Sequence, residues 1–110
     1  MDIVSTTKDD MLILDFIGQL DTGTAPKAEI EVNKYLENNQ KIIFNLEQTA
    51  FVSSAGLRVF LGTAKKLKAS GGLFRICNAN NVVQEILDIS GFSQILDVKK
   101  TLDEAVTNFN

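Results

Sequence analysis

The chain is predicted to be an α/β domain, a mixed sheet of four to five strands covered by about four helices. Three observations carry that prediction. Short apolar runs with β-branched residues occur at Met11 to Ile17, Lys41 to Leu46 and Leu73 to Cys77. Between them lie longer segments whose apolar residues recur every three or four positions, the period of a half-buried helix. Each change of period falls on turn or cap residues. Strands alternating with helices in this way build parallel crossovers in one sheet, and 110 residues make one domain, spanning 1–110, that can bury a core without disulfides or metals.

Taken in order, Ile3 to Ser5 reads as a short edge strand closed by the polar turn Thr6 to Asp10, a possible hairpin. Met11 to Ile17 alternates, with Leu12, Leu14 and Phe16 on one face and Ile13, Asp15 and Ile17 on the other, and is expected to be buried on much of both. Gly18-Gln19-Leu20-Asp21 ends it. In the run Asp21 to Pro26, Thr24 can cap a helix while Pro26 has its φ preset for the first turn. That helix is expected from Ala25 to Glu37, with Ala28, Val32, Tyr35 and Leu36 inward. After Lys41 to Leu46, a second helix starts at Ser53 or Ser54 and runs to Ala69, carrying Leu57, Phe60, Leu61, Ala64 and Leu67 as one stripe and ending on Gly71. Leu73 to Cys77 follows with Phe74 and Ile76 facing one way. Asn78-Ala79-Asn80 is a turn and cap for a helix bearing Val82, Val83, Ile86 and Leu87, which Ser90-Gly91 stops. Phe92 to Val98 holds one more short apolar segment, and a last helix spans Thr101 to Asn108.

Composition narrows the function. The net charge is −3, 45% of residues are apolar and 23% charged, an ordinary soluble surface that argues against nucleic acid as a partner. Lys65, Lys66 and Lys68 form the one basic run and read as the solvated face of a helix. The single cysteine, Cys77, lies in an apolar strand, cannot form an intrachain disulfide and points to an intracellular protein. No stretch approaches a membrane span and the N-terminus lacks a secretory pattern, so the expected location is the cytoplasm. With no histidine and no carboxylates clustered at ligand spacing, a zinc site, a Cys/His pair and a Ser/His/Asp triad are excluded on inventory. A phosphate loop ending in Gly-Lys-Ser/Thr is missing too, and no cofactor is expected.

The stretch Phe51 to Gly72 stands out. Its small-residue turn Ser53-Ser54-Ala55-Gly56 falls at the first residues of the second helix. A hydroxyl there has two available uses. It can accept a hydrogen bond from a free backbone N–H, worth about 1 kcal/mol. It can instead carry a phosphate where the helix dipole tolerates a dianion. Gly56 serves either close approach of another backbone or packing of the first turn on the sheet. Loops at the carboxyl ends of strands are where open α/β sheets place their sites, and two qualify, Gly18 to Thr24 and Glu47 to Gly56.

At these same residues the sequence resembles the STAS domain of bacterial anti-sigma factor antagonists, over nearly the whole chain. The resemblance is carried by Gly18-Gln19-Leu20-Asp21 at a Gly-x-Leu/Ile-Asp element, Phe44-Asn45-Leu46 at the central strand, Ser53-Ser54-Ala55-Gly56-Leu57 at the Asp-Ser-Ser/Ala-Gly-Leu signature, and Ser90-Gly91-Phe92 after the third helix. It implies a STAS-like fold and a phosphorylation-controlled binding module with no catalysis of its own. Ser54 matches the serine that accepts phosphate in that family. Ser53 stands where the family has aspartate, and is both a cap residue and an alternative acceptor. The implied partners are an anti-sigma factor with serine kinase activity, bound by the unphosphorylated form so that the sigma factor is released, and a serine phosphatase that reverses the modification. Ser53, Ser54, Ala55, Gly56 and Arg58 would meet the partner. Asp21, Thr22 and Thr24 could border the same surface or be a solvated turn plus a helix cap. The alternative is a STAS sensor or scaffold, never phosphorylated, that binds a small ligand or a signalling assembly.

Overall fold

A computed structural model of the protein describes residues 1–109. β1 (Asp2–Lys8) and β2 (Met11–Leu20) form an antiparallel hairpin, registered from Asp2 opposite Ile17 to Lys8 opposite Met11. β1 is longer than Ile3 to Ser5, because Thr6 and Thr7, which read as turn residues, find a complete ladder on β2. β2 is the hub. It pairs in parallel with β3 (Lys41–Asn45), which pairs with β5 (Leu73–Cys77), which pairs with β6 (Val98–Lys99).

A sixth strand, β4 (Thr49–Val52), was not expected. It lies inside the connection from Glu47 to Gly56 and pairs in parallel with Gly18 to Leu20. For the same reason β2 does not stop at Ile17. At Gly18, whose φ is +117°, the register shifts, and the strand then continues beyond its last partner in β1 because β4 offers a new one.

The crossovers are α1 (Ala25–Leu36) between β2 and β3, α2 (Ser54–Ala69) between β4 and β5, and α3 (Asn81–Ile89) with the short α4 (Phe92–Ile95) between β5 and β6. The segment Phe92 to Val98 thus divides into a helical turn and the start of a strand. The last helix, α5 (Leu102–Val106), is shorter than Thr101 to Asn108.

Alternation along β2 sorts its side chains as expected. Leu12, Leu14 and Phe16 join Ile42, Phe44, Phe60, Leu67 and Ile76 in the main core beneath α1, α2 and α3. Phe44 is its centre, with ring centroids 4.5 Å from Phe16, 4.7 Å from Phe74 and 5.6 Å from Phe60. Met11, Ile13, Ile43 and Cys77 face the other way, under Ala105 of α5 and Phe109. Arg75 fastens that second layer. Its guanidinium pairs with Asp97 at 2.8 Å, donates to the carbonyls of Ala105, Thr107 and Asn108, and lies 4.8 Å from the Phe109 ring centroid.

Three helix faces differ in detail from the periodic reading; on α3, Val83 and Leu87 are buried but Val82 is exposed. On α2, Leu57, Phe60 and Leu67 are buried, but Leu61 and Ala64 are only partly so, and Val59 and Thr63 take their place. The stripe is rotated because α1 packs against that side of α2, and Thr63 settles its hydroxyl by donating to the Val59 carbonyl at 2.8 Å. On α1, Ala25, Ala28 and Val32 are buried, while Tyr35 and Leu36 are half-exposed at the end of the helix. The end of α2 is as expected: Gly71 has φ +79°, and the Gly72 N–H donates to the Leu67 carbonyl at 2.7 Å.

Candidate functional site

The two loops singled out from the sequence meet. Ser53 N–H donates to the Leu20 carbonyl at 2.9 Å, and Gly18 N–H donates to the Gln48 carbonyl at 3.0 Å, so the end of β2 and the turn before α2 form one surface. Within that turn the two serines divide the work. Ser53 is extended (φ −89°, ψ 178°) and sits at the cap, its Oγ accepting from Gly56 N–H at 3.4 Å and its carbonyl accepting from Leu57 N–H at 2.9 Å. Ser54 is the first helical residue and is exposed. The cap bond falls on Ser53, so the Ser54 hydroxyl stands in solvent beside the positive end of a 16-residue helix. Ser53→Ala is expected to destabilise the domain by about 0.5–1 kcal/mol, the low end for a cap because the bond is long. Thermal denaturation checks it, and Ser54→Ala should leave the melting temperature unchanged.

Gly56 seats the helix. A Cβ at this position would lie 2.7 Å from the Leu20 carbonyl oxygen, 2.8 Å from Val52 Cγ1 and 2.9 Å from Leu20 Cγ, all closer than carbon tolerates. Both of its expected uses are realised in one contact: the Leu20 backbone approaches closely because the first turn packs onto the end of β2. Leu57 is in the core, Ala55 is half-buried, and Arg58 is exposed on the outer face of α2.

The neighbouring loop is held by Asp21, whose Oδ1 accepts from Gly23 N–H at 2.9 Å and Thr24 N–H at 3.1 Å. Thr24 occupies the cap position of α1, but the expected side-chain cap is not made. Its backbone is already helical (φ −103°, ψ −23°), which turns the hydroxyl back to donate to the Gln19 carbonyl at 2.8 Å and accept from Asp21 N–H at 2.9 Å. Asp21 and Thr24 are therefore half-buried and locked, and Thr22 alone of the three is exposed.

Sequence reading missed a polar cluster that joins the middle of β2 to the carboxyl ends of β3 and β5. The buried Asn45 amide donates to Asp15 at 2.9 Å and accepts from Asn78 at 2.9 Å and from Glu47 N–H at 3.3 Å. Its one signal was an asparagine interrupting an apolar strand. Asn80, expected as a cap, accepts from Val83 N–H at 2.8 Å and also donates to the Thr49 carbonyl at 3.1 Å, tying α3 to β4. Both sets of bonds brace the connection that delivers Ser53 and Ser54.

Cys77 is buried, and desolvation, reinforced by the negative charges of Asp15 and Glu47, pushes its thiol up to about 12. It should not react with an aryl disulfide reagent in the native state and should react fully once denaturant unfolds the chain. Among the described residues no group of three or more His, Cys, Asp or Glu is placed to hold a metal ion, and no helix is long and apolar enough to cross a membrane.

The fold and the turn define a class of small α/β domains in which a helix, seated on a strand end through a glycine, holds a serine at the surface. The STAS domain family profile matches residues 2–105, and the chain belongs to that family. BtrV of Bordetella bronchiseptica is 31% identical, covering 92% of this chain and 88% of that protein. The anti-sigma F factor antagonist of Paenibacillus polymyxa is 29% identical, covering 88% and 85%. Among solved structures, the anti-sigma factor antagonist SpoIIAA in its unphosphorylated form matches with a TM-score of 0.79 at 20% identity, covering 96% and 93%. The phosphorylated form of SpoIIAA from Bacillus matches with a TM-score of 0.74 at 19% identity, covering 99% and 100%. These two share the fold.

Proposed function

We propose that the protein is an anti-sigma factor antagonist whose partner binding is switched by phosphorylation of Ser54. Unphosphorylated, it binds an anti-sigma factor that is also a serine kinase and so frees the sigma factor; phosphate on Ser54 blocks the complex, and a serine phosphatase restores it. The observation that carries this reading is the exposed Ser54 hydroxyl at the first residue of α2, with the cap bond taken by Ser53. Relatives named as anti-sigma factor antagonists, and a fold neighbour solved with and without phosphate, support it.

The physics of such a switch is asymmetric. A phosphoserine adds about −1.5 to −2 charge and three acceptor oxygens. At Ser54 the helix N-terminus offsets part of that by about 0.3–2 kcal/mol, so the fold tolerates the change. A partner packed over the turn, on Ser54, Ala55, Arg58 and Thr22 and against the Asp21 to Thr24 loop, would have to bury a dianion where it otherwise meets a neutral hydroxyl, at several kcal/mol. Ser54→Ala should keep both fold and partner affinity, whereas Ser54→Asp should weaken the complex. Titration calorimetry with the anti-sigma partner decides, and equal affinities for the two variants would count against the reading.

One observation favours a second reading. Ser53 occupies the place of the signature aspartate, and a STAS sensor or scaffold that is never phosphorylated would have no need of that carboxylate. Incubation with ATP and the cognate kinase separates the two. Phosphate found by mass spectrometry on Ser54, or on Ser53 as the alternative acceptor, supports the switch; an unmodified chain supports the scaffold.

A further inference from the structure

Ser54 and Arg58 are four residues apart on α2, both exposed, with Leu57 and Phe60 buried in the core. Residues at that spacing are neighbours on a helix surface, and an acid four positions before a base is the favoured order. Helical side chains lean toward the N-terminus, so the Arg58 guanidinium is within reach of the turn that carries Ser54. Arg58 makes no ion pair among the described residues.

The charged groups around it compete weakly. The shallow groove between α1 and α2 that Arg58 lines also holds Glu29, Asn33 and Lys66. Lys66 donates to the Asn33 amide oxygen at 2.7 Å, which leaves Glu29 as the groove's acidic side chain. The Asp21 carboxylate in the adjoining loop is engaged by the amides of Gly23 and Thr24.

We propose that Arg58 is the intramolecular clamp of the phosphate on Ser54, a role that rests on the phosphorylation reading above. The planar guanidinium can give two parallel N–H bonds to phosphate oxygens, and the phosphate carries about −1.5 to −2 charge against the single charge of the Glu29 carboxylate. Modification then alters the surface twice over, adding a dianion and withdrawing an exposed arginine from whatever packs there. The clamp also belongs to this chain's sequence, since it needs a basic residue one turn beyond the acceptor.

The test installs phosphoserine genetically at position 54 of the full chain, so that its outcome does not depend on any kinase. The phosphate is titrated by phosphorus NMR in the wild-type background and in Arg58→Gln and Arg58→Lys variants. The expected result is a second ionisation about half a unit lower with Arg58 than with Arg58→Gln, Arg58→Lys falling between, and a difference that shrinks as salt is raised. Coincident titrations of the wild type and Arg58→Gln at low salt would overturn the clamp while leaving the phosphorylation reading standing. A failure of the cognate kinase to modify the natural chain would sink that reading and leave the titration result intact.

Discussion

With phosphate on Ser54, the protein is expected to bind its anti-sigma partner about a thousandfold more weakly than the unmodified protein, a loss of about 4 kcal/mol. Its own melting temperature should move by only a few degrees. The reason is where the charge sits in each state. In the isolated domain the dianion is in solvent at the positive end of α2, where water and the free N–H groups of the first turn receive it. Under a partner it would be stripped of water, with no more than the single charge of Arg58 beside a dianion. Titration calorimetry of the two forms, run beside thermal denaturation of each, measures both quantities. A large fall in stability, or unchanged affinity, would contradict the expectation.

The second large effect is expected at Gly56. Gly56→Ala places a carbon 2.7 Å from the Leu20 carbonyl oxygen and 2.8 Å from Val52 Cγ1. The first of these is backbone, so relief requires moving α2 away from the end of β2. A loss of about 2 kcal/mol is expected, lowering the melting temperature by roughly 10 °C in a domain of this size. Gly62 is the internal control. It lies in the same helix with nothing within 4 Å of a built Cβ, so Gly62→Ala should stabilise by up to about 1 kcal/mol through helix propensity alone. Thermal denaturation of the pair checks the sign of each change. If both substitutions stabilise, Gly56 does not set the seat of α2.

The helices α1, α2 and α3, the apolar strands and the end of α2 at Gly71 were legible because each has a local cause: a period, a cap, or a residue that accepts positive φ. The turn at Ser53 to Gly56 was legible for the same reason, since small residues before an amphipathic run mark a helix start. Ser53 read first as a cap or turn residue, and it is the cap, but the residues alone did not settle which serine would cap. Both have the chemistry for either role, and the choice depends on Ser53 being pulled into extended geometry by its bond to Leu20 across two loops. Thr24 failed as a side-chain cap on similar grounds, its hydroxyl being claimed by Gln19.

The amino-acid order thus settled the α/β class, the strands β2, β3 and β5, the faces of β2, and the placement of a hydroxyl-bearing turn at the start of a helix, all of which depend on neighbours a few residues apart. Folding in three dimensions settled the rest. β4 exists only as a partner for the end of β2, the stripe on α2 is rotated by α1, and Gly56 is required by a carbonyl 36 residues earlier in the chain. Contacts at such separations follow from how preformed elements pack, and no local pattern of residues encodes them.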